Sequence, residues 1–477
     1  MSKTRPLIVD LDGTLIFTDI LYESLIQIFK KNLFIIFKLF FVALKGKASL
    51  KEFVGSKVNI NPAILPYNAE FLTWLRNEYK TGRKLILSTG SDLRTANKIA
   101  KYLGIFHTVI ASDGKKNNTG LTKSKTLESK YGRLGFDYAG NSYDDIFVWK
   151  KSKFSIIVNA SDNLIESVQK ISKIKKIFFR PKSSFLIWFS AFRIHQWLKN
   201  LLLFVPLAAG HYLPNAATWE LLFLAFFSFS ICASSIYITN DLFDLESDRQ
   251  HHSKMFRPFA AGKLPIWIGI VFSPILLCLG IFIATFVSLK FLYCLLLYLT
   301  ITFLYSLILK QIALIDCLTL AFLYTIRIIS GAVVIGDALS FWLLAFSFFI
   351  FLSLAFVKRY TEILNQKKVD KIKLSGRGYL LSDAFLIQTL GITSGYASIL
   401  VLALYLNSDS VLRLYQSPQL IWLAIPVMLF WVSSIWMHAN HGKMHDDPVI
   451  FAIKNPISII TALLFTGIMI IGTIGIN

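Results

Sequence analysis

Long apolar runs separated by short polar loops dominate the chain from about residue 184 to residue 477. A helix needs roughly 20 consecutive, mostly apolar residues to cross a bilayer, and nine runs approach that length. They lie near residues 193–213, 218–239, 266–287, 291–309, 314–335, 339–357, 384–406, 419–437 and 457–475. The pattern predicts a C-terminal all-α membrane bundle of about nine transmembrane helices.

Residues 1–169 show a different pattern, because charged and apolar residues are mixed as they are in a globular domain. Short apolar runs at 7–9, 84–87 and 136–139 are typical of buried strands that end in a turn. We therefore expect a separate domain of ordinary size before the membrane part.

Two further segments of the N-terminal part have more than one interpretation. An insertion of about seventy residues between Thr14 and Thr89 predicts a small helical cap at about 17–80. Its apolar run at 32–44 is too short to span a bilayer, so it is either the buried face of a cap helix or a segment that dips into the membrane interface. A basic segment at 170–183 would link the two parts, either against anionic lipid headgroups or as a solvated tether.

Positive charge is distributed asymmetrically between alternate loops. The formal net charge is +22, although 55% of the residues are hydrophobic. Lys and Arg concentrate in the loops after every second predicted span, whereas the opposite loops carry little more than Lys290 and Arg413. The positive-inside rule therefore places the N-terminal domain and the basic loops on the cytoplasmic side of the inner membrane, with the C-terminus opposite. We expect the lipid bilayer as a partner and no nucleic acid.

The first residues and the cysteines suggest no further class of protein. Asp10 and Asp12 interrupt the apolar run at the start, so we do not expect a signal peptide there. The four cysteines all lie in apolar runs without metal-ligand spacing, which is typical of small core residues.

An acidic motif, Asn240–Asp248, directly follows the second predicted span. Carboxylates at the end of a membrane span are costly and need a physical reason. Asp241, Asp244 and Asp248 lie at i, i+3 and i+7, which places three carboxylates on one face of a helix. Converging carboxylates need a cation, and oxygen ligands favour Mg²⁺ that is shared with substrate phosphates. We interpret the motif as a Mg²⁺–diphosphate site rather than as a solvated helix end with incidental acidity.

Other polar residues flank the predicted spans. Lys254 and Arg257 could bind phosphate oxygens beside the acidic motif or serve only as positive-inside residues. Arg327 lies deep in an apolar run, where an arginine needs a partner or a water-filled cavity, so it is a candidate site residue. The remaining candidates at span ends are Arg193, Gln196, Trp197, Lys199 and Asn200, then Tyr305, Lys310 and Asp316, and finally His445-Asp446-Asp447-Pro448, which could also be only a turn.

These residues resemble the UbiA superfamily of intramembrane prenyltransferases, and the likeness covers roughly residues 190–477. Within that superfamily the chain is most similar to the decaprenyl-phosphate phosphoribosyltransferase branch. The resemblance implies that the acidic motif and Mg²⁺ bind phosphoribosyl diphosphate, and that the acceptor is a polyprenyl phosphate. The substrate-binding residues it implies are Arg193, Lys199, Asn200, Asn240, Lys254, Arg257, Tyr305, Lys310, Asp316, Arg327, Asp446 and Asp447, with Asp241, Asp244 and Asp248 as the catalytic metal ligands.

One departure from the superfamily pattern bears on the donor. The second acidic motif of aromatic prenyltransferases, DxxxD, is missing after Tyr305, and only Asp316 remains. This favours phosphoribosyl diphosphate over a prenyl diphosphate whose chain is moved to an aromatic acceptor. A prenyl diphosphate donor stays the nearer alternative, and a transporter or non-catalytic scaffold is the more distant one.

A second motif, Asp10-Leu11-Asp12-Gly13-Thr14, follows the predicted strand at 7–9. A carboxylate at the end of a strand, with a second carboxylate two residues on, is what an aspartyl-phosphate mechanism needs. Thr89, Lys123 and the pair Asp144-Asp145 follow in order along the chain, the first and last of them after predicted strands.

These elements resemble the haloacid dehalogenase superfamily of phosphohydrolases over about residues 5–165, which implies an α/β Rossmannoid domain. The roles implied are Asp10 as nucleophile, Asp12 as general acid and base, Thr89 (or Ser88) and Lys123 as phosphate ligands, and Asp10, Asp12 and Asp145 around a second Mg²⁺. Asn141 departs from the acidic pattern and removes one negative charge, for which Asp144 can compensate. The domain is then a phosphatase, which would remove the 5-phosphate from the transfer product, or a regulatory remnant.

Overall fold

The chain forms two compact units. The computed structural model describes residues 5–32, 34–179, 184–210, 215–336, 340–367, 377–408, 415–444 and 447–475. One unit comprises Met1–Phe192 with Tyr237–Ser273, and the other comprises Arg193–Ile236 with Pro274–Asn477. The acidic motif therefore belongs to the same unit as the N-terminal domain, although in sequence it follows a membrane span.

A parallel sheet of six strands is the centre of the first unit. Its order is β3-β2-β1-β4-β5-β6, with β1 hydrogen-bonded between β2 and β4 in parallel register. Three of its strands correspond to the short apolar runs of the sequence. The strands are β1 Leu7–Val9, β2 Leu85–Asp92, β3 Thr108–Ser112, β4 Asp137–Gly140, β5 Phe154–Val158 and β6 Lys173–Phe178.

Both faces of this sheet are covered. Leu7 and Val9 of β1 lie in one buried apolar cluster, and Ile8 between them lies in another. This alternation follows from the two-residue period of a strand, and it explains why the run carries no polar residue. The helices of the first unit are α1 Ile20–Lys31, α2 Ile35–Leu44, α3 Lys47–Lys57, α4 Ala69–Lys80, α5 Leu93–Leu103, α6 Gly120–Tyr131, α7 Ile146–Trp149, α8 Asp162–Gln169 and α9 Leu186–Phe192.

The predicted cap and linker differ from the observed elements. Phe71 of α4 is fully buried, and its ring centroid lies 5.1 Å from that of Phe178 of β6. Helix α4 therefore packs on the sheet, and the helices of the insertion that remain as a cap are α1 to α3. The basic stretch that we expected in a linker forms β6, because its apolar side chains Ile174, Ile177 and Phe178 pack on the sheet.

The apolar helix α2 is largely exposed. Phe37, Phe40 and Phe41 are each more than 60% exposed, and Leu44 is 71% exposed. Among the side chains of α2 whose burial the structure describes, Leu39 alone is deeply buried. The interfacial interpretation of the run at 32–44 therefore fits the structure better than that of a buried cap helix.

The described residues contain eight helices that are long and apolar enough to cross a membrane, one fewer than we predicted. They are Ala216–Phe243, Ile266–Val287, Leu289–Leu307, Ile315–Ile335, Phe341–Gln366, Leu381–Leu406, Pro418–Asn440 and Pro456–Ile474. The corresponding helices, with the shorter ones beside them, are α10 Val205–Ala209, α11 Ala216–Phe243, α12 Leu245–Gln250, α13 Ile266–Val287, α14 Leu289–Leu307, α15 Ile315–Ile335, α16 Phe341–Lys367, α17 Ala384–Leu406, α18 Pro418–Ile421, α19 Ala424–Asn440, α20 Pro448–Lys454 and α21 Pro456–Ile474.

The predicted first span, 193–213, is not one continuous helix. Arg193 has a left-handed backbone (φ 51°), and Ile194–Phe204 is a 3₁₀-helix. The short α10 follows, with Pro206 in its first turn. This segment also carries polar side chains, and some of them, such as Asn200, are buried within the unit. Residues 211–214 lie outside the described residues.

A close backbone approach holds the 3₁₀-helix Ile194–Phe204 against α15. A Cβ atom added to Gly331 of α15 would lie 2.0 Å from the carbonyl oxygen of Leu203. A backbone contact of this kind cannot yield as a flexible side chain can, so only glycine fits.

We expect Gly331→Ala to destabilise the helical unit by about 1–3 kcal/mol, because the added methyl group forces backbone to move in a packed core. Gly467→Ala is the matched control, since a Cβ there meets nothing within 4 Å and alanine is favoured in a helix. Thermal unfolding of the purified full chain in detergent measures both. Equal melting temperatures for the two variants would contradict the proposed close packing.

Candidate functional site

The motif residues of the N-terminal domain meet at the carboxyl ends of β1 and β4. Strand order reverses between these two strands, and a reversal opens a crevice in which parallel sheets bind ligands. Asp10 directly follows β1, and Asn141 directly follows β4. Asp10 and Asn141 are more than 100 residues apart in sequence, and the pairing of β1 with β4 brings them together.

Asp10 is buried beside a buried lysine. The Lys123 ammonium group donates to Asp10 Oδ1 at 2.7 Å and to the Tyr138 hydroxyl at 3.0 Å. It also lies 3.7 Å from Asp145 Oδ1. The Thr14 hydroxyl is 3.4 Å from Asp10 Oδ2. Lys123 therefore occupies the space between two carboxylates that would otherwise repel each other.

Asp12 accepts hydrogen bonds from the end of β2 and the start of α1. The Ser91 hydroxyl donates to it at 2.5 Å and the Thr89 hydroxyl at 3.2 Å, while the Ile20 amide donates to its other oxygen at 2.9 Å. Burial raises the pKa of Asp12 to about 6 and the pKa of Asp10 to about 7. A carboxylate with a raised pKa keeps its proton to a higher pH, and additional positive charge nearby would lower that pKa again.

Asp145 and Asn141 have further local contacts. The Ser142 hydroxyl and amide and the Asn141 amide all donate to Asp145 Oδ2 at 3.0 Å. The Asn141 side chain lies so close to Gly13 that a Cβ there would be 2.2 Å from its Nδ2. Gly13 also has φ +73°, so glycine is required in the motif for two independent reasons.

These residues line a pocket of about 600 Å³ within the first unit. The pocket residues that the sequence did not single out include Ser91, Asp19 and Lys51, and the Lys51 ammonium group donates to the Gly90 carbonyl at 2.7 Å. Ser91 could have been found from its place one residue beyond Ser88-Thr89-Gly90, but Lys51 lies in the insertion and has no local signal. Trp267, at the start of α13, also lines the pocket.

Two carboxylates of the acidic motif converge on one cation. Arg257 Nη1 donates to Asp241 Oδ1 at 3.1 Å and to Asp248 Oδ2 at 2.6 Å. Both aspartates are 2% exposed. Burial raises the pKa of Asp248, against the lowering effect of Arg257. The predicted convergence of carboxylates on positive charge is therefore present, with a guanidinium as the cation.

The third carboxylate has a different partner. Asp244 lies in the turn between α11 and α12 (φ −102°, ψ 13°), and its Oδ1 is 3.3 Å from the Lys30 ammonium. No group of three or more His, Cys, Asp or Glu side chains is placed to hold a metal ion in the part of the chain that the structure describes. The prediction that three aspartates point at one place thus holds for two of them.

Two lysines of the second unit converge on the carboxylate of Asp447. Lys199 and Lys358 donate to its Oδ2 at 2.8 and 2.9 Å. Burial alone would raise the pKa of Asp447, but the two ammonium groups hold it well below its usual range. Lys358 follows the sixth predicted span, in one of the basic loops, and was not a candidate site residue from the sequence. Asp446 lies outside the described residues.

Arg327 has the partners that its depth in α15 requires. Its Nε donates to Asn200 Oδ1 at 2.9 Å and its Nη2 to the Tyr298 hydroxyl at 3.0 Å, and Nη1 donates to the Leu323 carbonyl. Asn200 in turn donates to the Ser230 hydroxyl at 2.9 Å. This network binds the 3₁₀-helix Ile194–Phe204 to α15.

Asp316 is an internal counter-ion. Arg359 Nε lies 2.7 Å and Arg377 Nη1 3.6 Å from Asp316 Oδ2, and the Tyr379 hydroxyl donates to Oδ1. Arg377 also donates to the Tyr305 hydroxyl at 2.8 Å. The other candidates are placed as follows: Arg193 before the 3₁₀-helix Ile194–Phe204, Asn240 near the end of α11, Lys254 in the 3₁₀-helix Lys254–Phe256 and Lys310 in the 3₁₀-helix Leu309–Gln311.

Comparison with known proteins identifies the family. The UbiA prenyltransferase family model matches residues 201–455. The chain belongs to this family. An uncharacterized protein of Sinorhizobium fredii, y4nM, is 34% identical over 96% of this chain and 89% of its own length. The nodulation protein NoeC of Azorhizobium caulinodans is 33% identical over 59% of this chain and 92% of its own.

A decaprenyl-phosphate phosphoribosyltransferase of Mycolicibacterium smegmatis is 30% identical over 62% of this chain and 93% of its own length. A UbiA homolog from Archaeoglobus fulgidus, solved with GPP and Mg²⁺, covers 61% of this chain and 100% of its own, with a TM-score of 0.47 and 16% identity. The C-terminal part of the chain is accordingly a UbiA-type all-helical membrane domain of a transferase.

We expect Asp447→Asn to lower the stability of the helical unit by about 3 kcal/mol, because two ammonium groups lose a buried carboxylate. A lowered pKa means that Asp447 contributes its stability above the usual carboxyl value of 3.8 and loses it only as the pH falls through the folded value. The difference between the variant and the unaltered protein should therefore stay constant between about pH 5.5 and 8.

Denaturation of the detergent-purified full chain at several pH values measures this difference. Lys454→Gln, an exposed charge on α20, is the control and should change stability by less than about 0.5 kcal/mol. A difference that grows steadily from pH 8 to pH 5.5 would contradict the assigned charge state.

Proposed function

We propose that the membrane domain transfers 5-phosphoribose from phosphoribosyl diphosphate to a polyprenyl phosphate. The observation that carries the proposal is the pair of buried carboxylates, Asp241 and Asp248, that converge on one cation at the end of α11. The similarity to decaprenyl-phosphate phosphoribosyltransferases at 30–36% identity supports the choice of donor and acceptor. The missing DxxxD motif after Tyr305 supports it further.

The acidic motif fits a divalent cation by the chemistry of its donors. Asp241 and Asp248 are the carboxylates that would hold Mg²⁺, with Asp244 as a third after a side-chain rearrangement. Mg²⁺, when bound, would supply positive charge to the leaving diphosphate. Arg257, which is paired with the same two carboxylates in the structure, would then be available to bind phosphate oxygens.

The reaction needs one bond exchange at ribose C1. The bond between C1 and a diphosphate oxygen breaks, a phosphate oxygen of the lipid acceptor forms the new bond to C1, and diphosphate leaves with the bonding electrons. Arg257 and Lys254 would stabilise the charge that develops on the leaving oxygens.

We further propose that the N-terminal domain is a phosphatase. The support is the cluster of Asp10, Asp12 and Lys123 in a 600 Å³ pocket at the strand-order reversal. Asp10 would attack phosphorus, the bond between phosphorus and the ester oxygen would break as Asp12 gives that oxygen a proton, and water would then release phosphate from the aspartyl phosphate. The raised pKa of Asp12 suits a proton donor.

The residues of this pocket also fit a divalent cation. Two buried carboxylates, Asp10 and Asp145, lie on either side of the Lys123 ammonium, and the pKa of Asp10 is raised by burial, then by the negative charges of Asp145 and Asp12. Mg²⁺, when bound, would offset that repulsion and the charge of a substrate phosphate. Its carboxylate ligands would be Asp10 and Asp145, which leaves Asp12 as the proton donor.

The two proposed reactions form a sequence. Transfer would produce a lipid-linked ribose that still carries its 5-phosphate, and the phosphatase would remove that phosphate. We place both sites on the cytoplasmic face, because the basic loops orient the acidic motif and the N-terminal domain to the same side.

Transfer should depend on Asp241. Purified protein with labelled phosphoribosyl diphosphate, decaprenyl phosphate and Mg²⁺ should produce lipid-soluble label, and Asp241→Asn should lower the rate at least about 100-fold, as expected for a group that stabilises transition-state charge. Glu220→Gln, an exposed carboxylate at the other end of α11, should have the unaltered rate.

The same assay distinguishes phosphoribosyl diphosphate from the alternative donor, a prenyl diphosphate. No lipid-soluble label from phosphoribosyl diphosphate, together with transfer of a labelled prenyl chain from its diphosphate to an aromatic acid, would replace the proposal by aromatic prenyl transfer. The prenyl assay uses the same protein preparation, so inactive protein is recognised by failure of both.

Phosphate release should depend on Asp10. Asp10→Asn should lower phosphate release from the lipid-linked phosphoribose at least about 1000-fold, because the nucleophile is removed, while transfer continues and the phosphorylated product accumulates. Asp113→Asn, an exposed carboxylate of the same domain, is the control. Thin-layer separation of the two lipids measures both, and an unchanged yield of dephosphorylated lipid in Asp10→Asn would refute the assignment.

A further inference from the structure

One face of α1 contacts the segment that carries the acidic motif. Glu23, Gln27 and Lys30 lie at i, i+4 and i+7, which places them on the same side of the helix. All three bond to residues between Phe243 and Arg249. The acidic motif is therefore bound to a helix of the N-terminal domain by polar contacts along the whole length of that helix.

The strongest of these contacts is a buried ion pair. Arg249 Nη1 donates to Glu23 Oε2 at 3.0 Å and Nη2 donates to Oε1 at 2.6 Å. The side chains are 5% and 3% exposed, and Arg249 Nε also donates to the Ala260 carbonyl at 2.9 Å. A two-pronged pair of this kind fixes direction as well as distance. Since Arg249 directly follows Asp248, Glu23 fixes the end of α12 from which that carboxylate projects.

Backbone packing makes the same connection rigid. Gly262, in the loop after the motif, has φ +69°, and a Cβ there would lie 2.5 Å from the Cβ of Phe17 and 2.9 Å from its carbonyl oxygen. Gln27 Nε2 donates to Glu246 Oε1 at 2.8 Å. The motif and the loop after it thus both contact the segment that begins at Phe17 and continues into α1.

Lys30 differs from Glu23 and Gln27 because its charge is accessible. Its ammonium group donates to the Phe243 carbonyl at 2.8 Å and to Asp244 Oδ1 at 3.3 Å, yet the side chain is 50% exposed. The Phe243 carbonyl ends α11, where the helix dipole is negative. An exposed lysine on a flexible stem can leave this position when a stronger anion arrives.

We propose that α1 is part of the donor site of the transferase, with Lys30 as a ligand of the donor's diphosphate and Glu23 and Gln27 as positioning residues for the acidic motif. This inference rests on the proposed function only in assuming a diphosphate donor. On binding of Mg²⁺ and diphosphate, Lys30 exchanges the Asp244 carboxylate for phosphate oxygens, and Asp244 becomes available to the cation. No covalent bond changes in this exchange.

The test uses the full chain in detergent, with Mg²⁺ and inorganic diphosphate as the probe in calorimetric titrations. Only the binding that disappears in Asp241→Asn is assigned to the donor site, so that binding in the N-terminal pocket does not contribute. Lys30→Met should weaken the Asp241-dependent binding about tenfold, as loss of one charge-assisted contact does.

Two lysine variants are the controls. Lys30→Arg keeps the charge and should bind within about threefold of the unaltered protein. Lys31→Met removes an equally charged, exposed neighbour on the next position of α1 and should bind normally. Equal affinities of Lys30→Met and Lys31→Met, or no Asp241-dependent binding in the unaltered protein, would overturn the inference.

The positioning role is tested by exchanging the ion pair. Glu23→Gln should weaken the same binding at least about tenfold, and combining Glu23→Arg with Arg249→Glu should recover most of the loss, which a general defect in folding would not. Hydrogen exchange of β1 and β4 verifies that the domain is folded. A folded Glu23→Gln protein with unaltered affinity would refute the role of Glu23, and if Glu23→Gln unfolds, the Lys30 series decides.

Because the probe is inorganic diphosphate, the experiment tests the role of Lys30 independently of which diphosphate is the natural donor. If inorganic diphosphate binds through Lys30 but phosphoribosyl diphosphate gives no transfer, the proposed donor is wrong and the assignment of Lys30 stands. If phosphoribose is transferred and Lys30→Met leaves both the diphosphate affinity and the KM for the donor unchanged, the assignment of Lys30 fails and the proposed function stands.

Discussion

A charge removed from water must be paired, and this constraint organises the main clusters of buried charge in the protein. Buried carboxylates lie beside cationic side chains at four places: Asp10 with Lys123, Asp241 and Asp248 with Arg257, Glu23 with Arg249, and Asp447 with Lys199 and Lys358. An unpaired charge at such depth would cost several kcal/mol. The pairs therefore determine which loops are held together around each candidate site.

Under the proposed function, the same pairs would also allow Mg²⁺ and a diphosphate to bind. A guanidinium or ammonium group that already neutralises a carboxylate can be replaced there by a divalent cation and can then turn to a phosphate oxygen. Arg257 and Lys30 are both placed for such an exchange, and both are more exposed than the carboxylates they contact. In this proposed exchange, each buried carboxylate would have a cationic partner both before and after the divalent cation binds.

The N-terminal domain and the acidic motif are physically continuous within one unit. Helix α1 contributes Leu21 and Tyr22 to the pocket that contains Asp10 and Lys123, and its residues Glu23, Gln27 and Lys30 contact the motif. Relatives such as NoeC and the mycobacterial enzyme align with only about 60% of this chain, whereas the relative y4nM aligns with nearly all of it. The contacts between α1 and the motif therefore involve a part of this chain that lies outside the family model match at residues 201–455.

The sequence alone determined the strands at β1, β2 and β4, most of the membrane helices and the two acidic motifs, because these depend on local periodicity and on residue types at short spacing. Only the tertiary structure decided that the first apolar run is broken, that Asp244 faces Lys30, and that Glu23 pairs with Arg249. The last pair joins residues 226 positions apart. Its selection depends on the packing of whole helices, which no local pattern records.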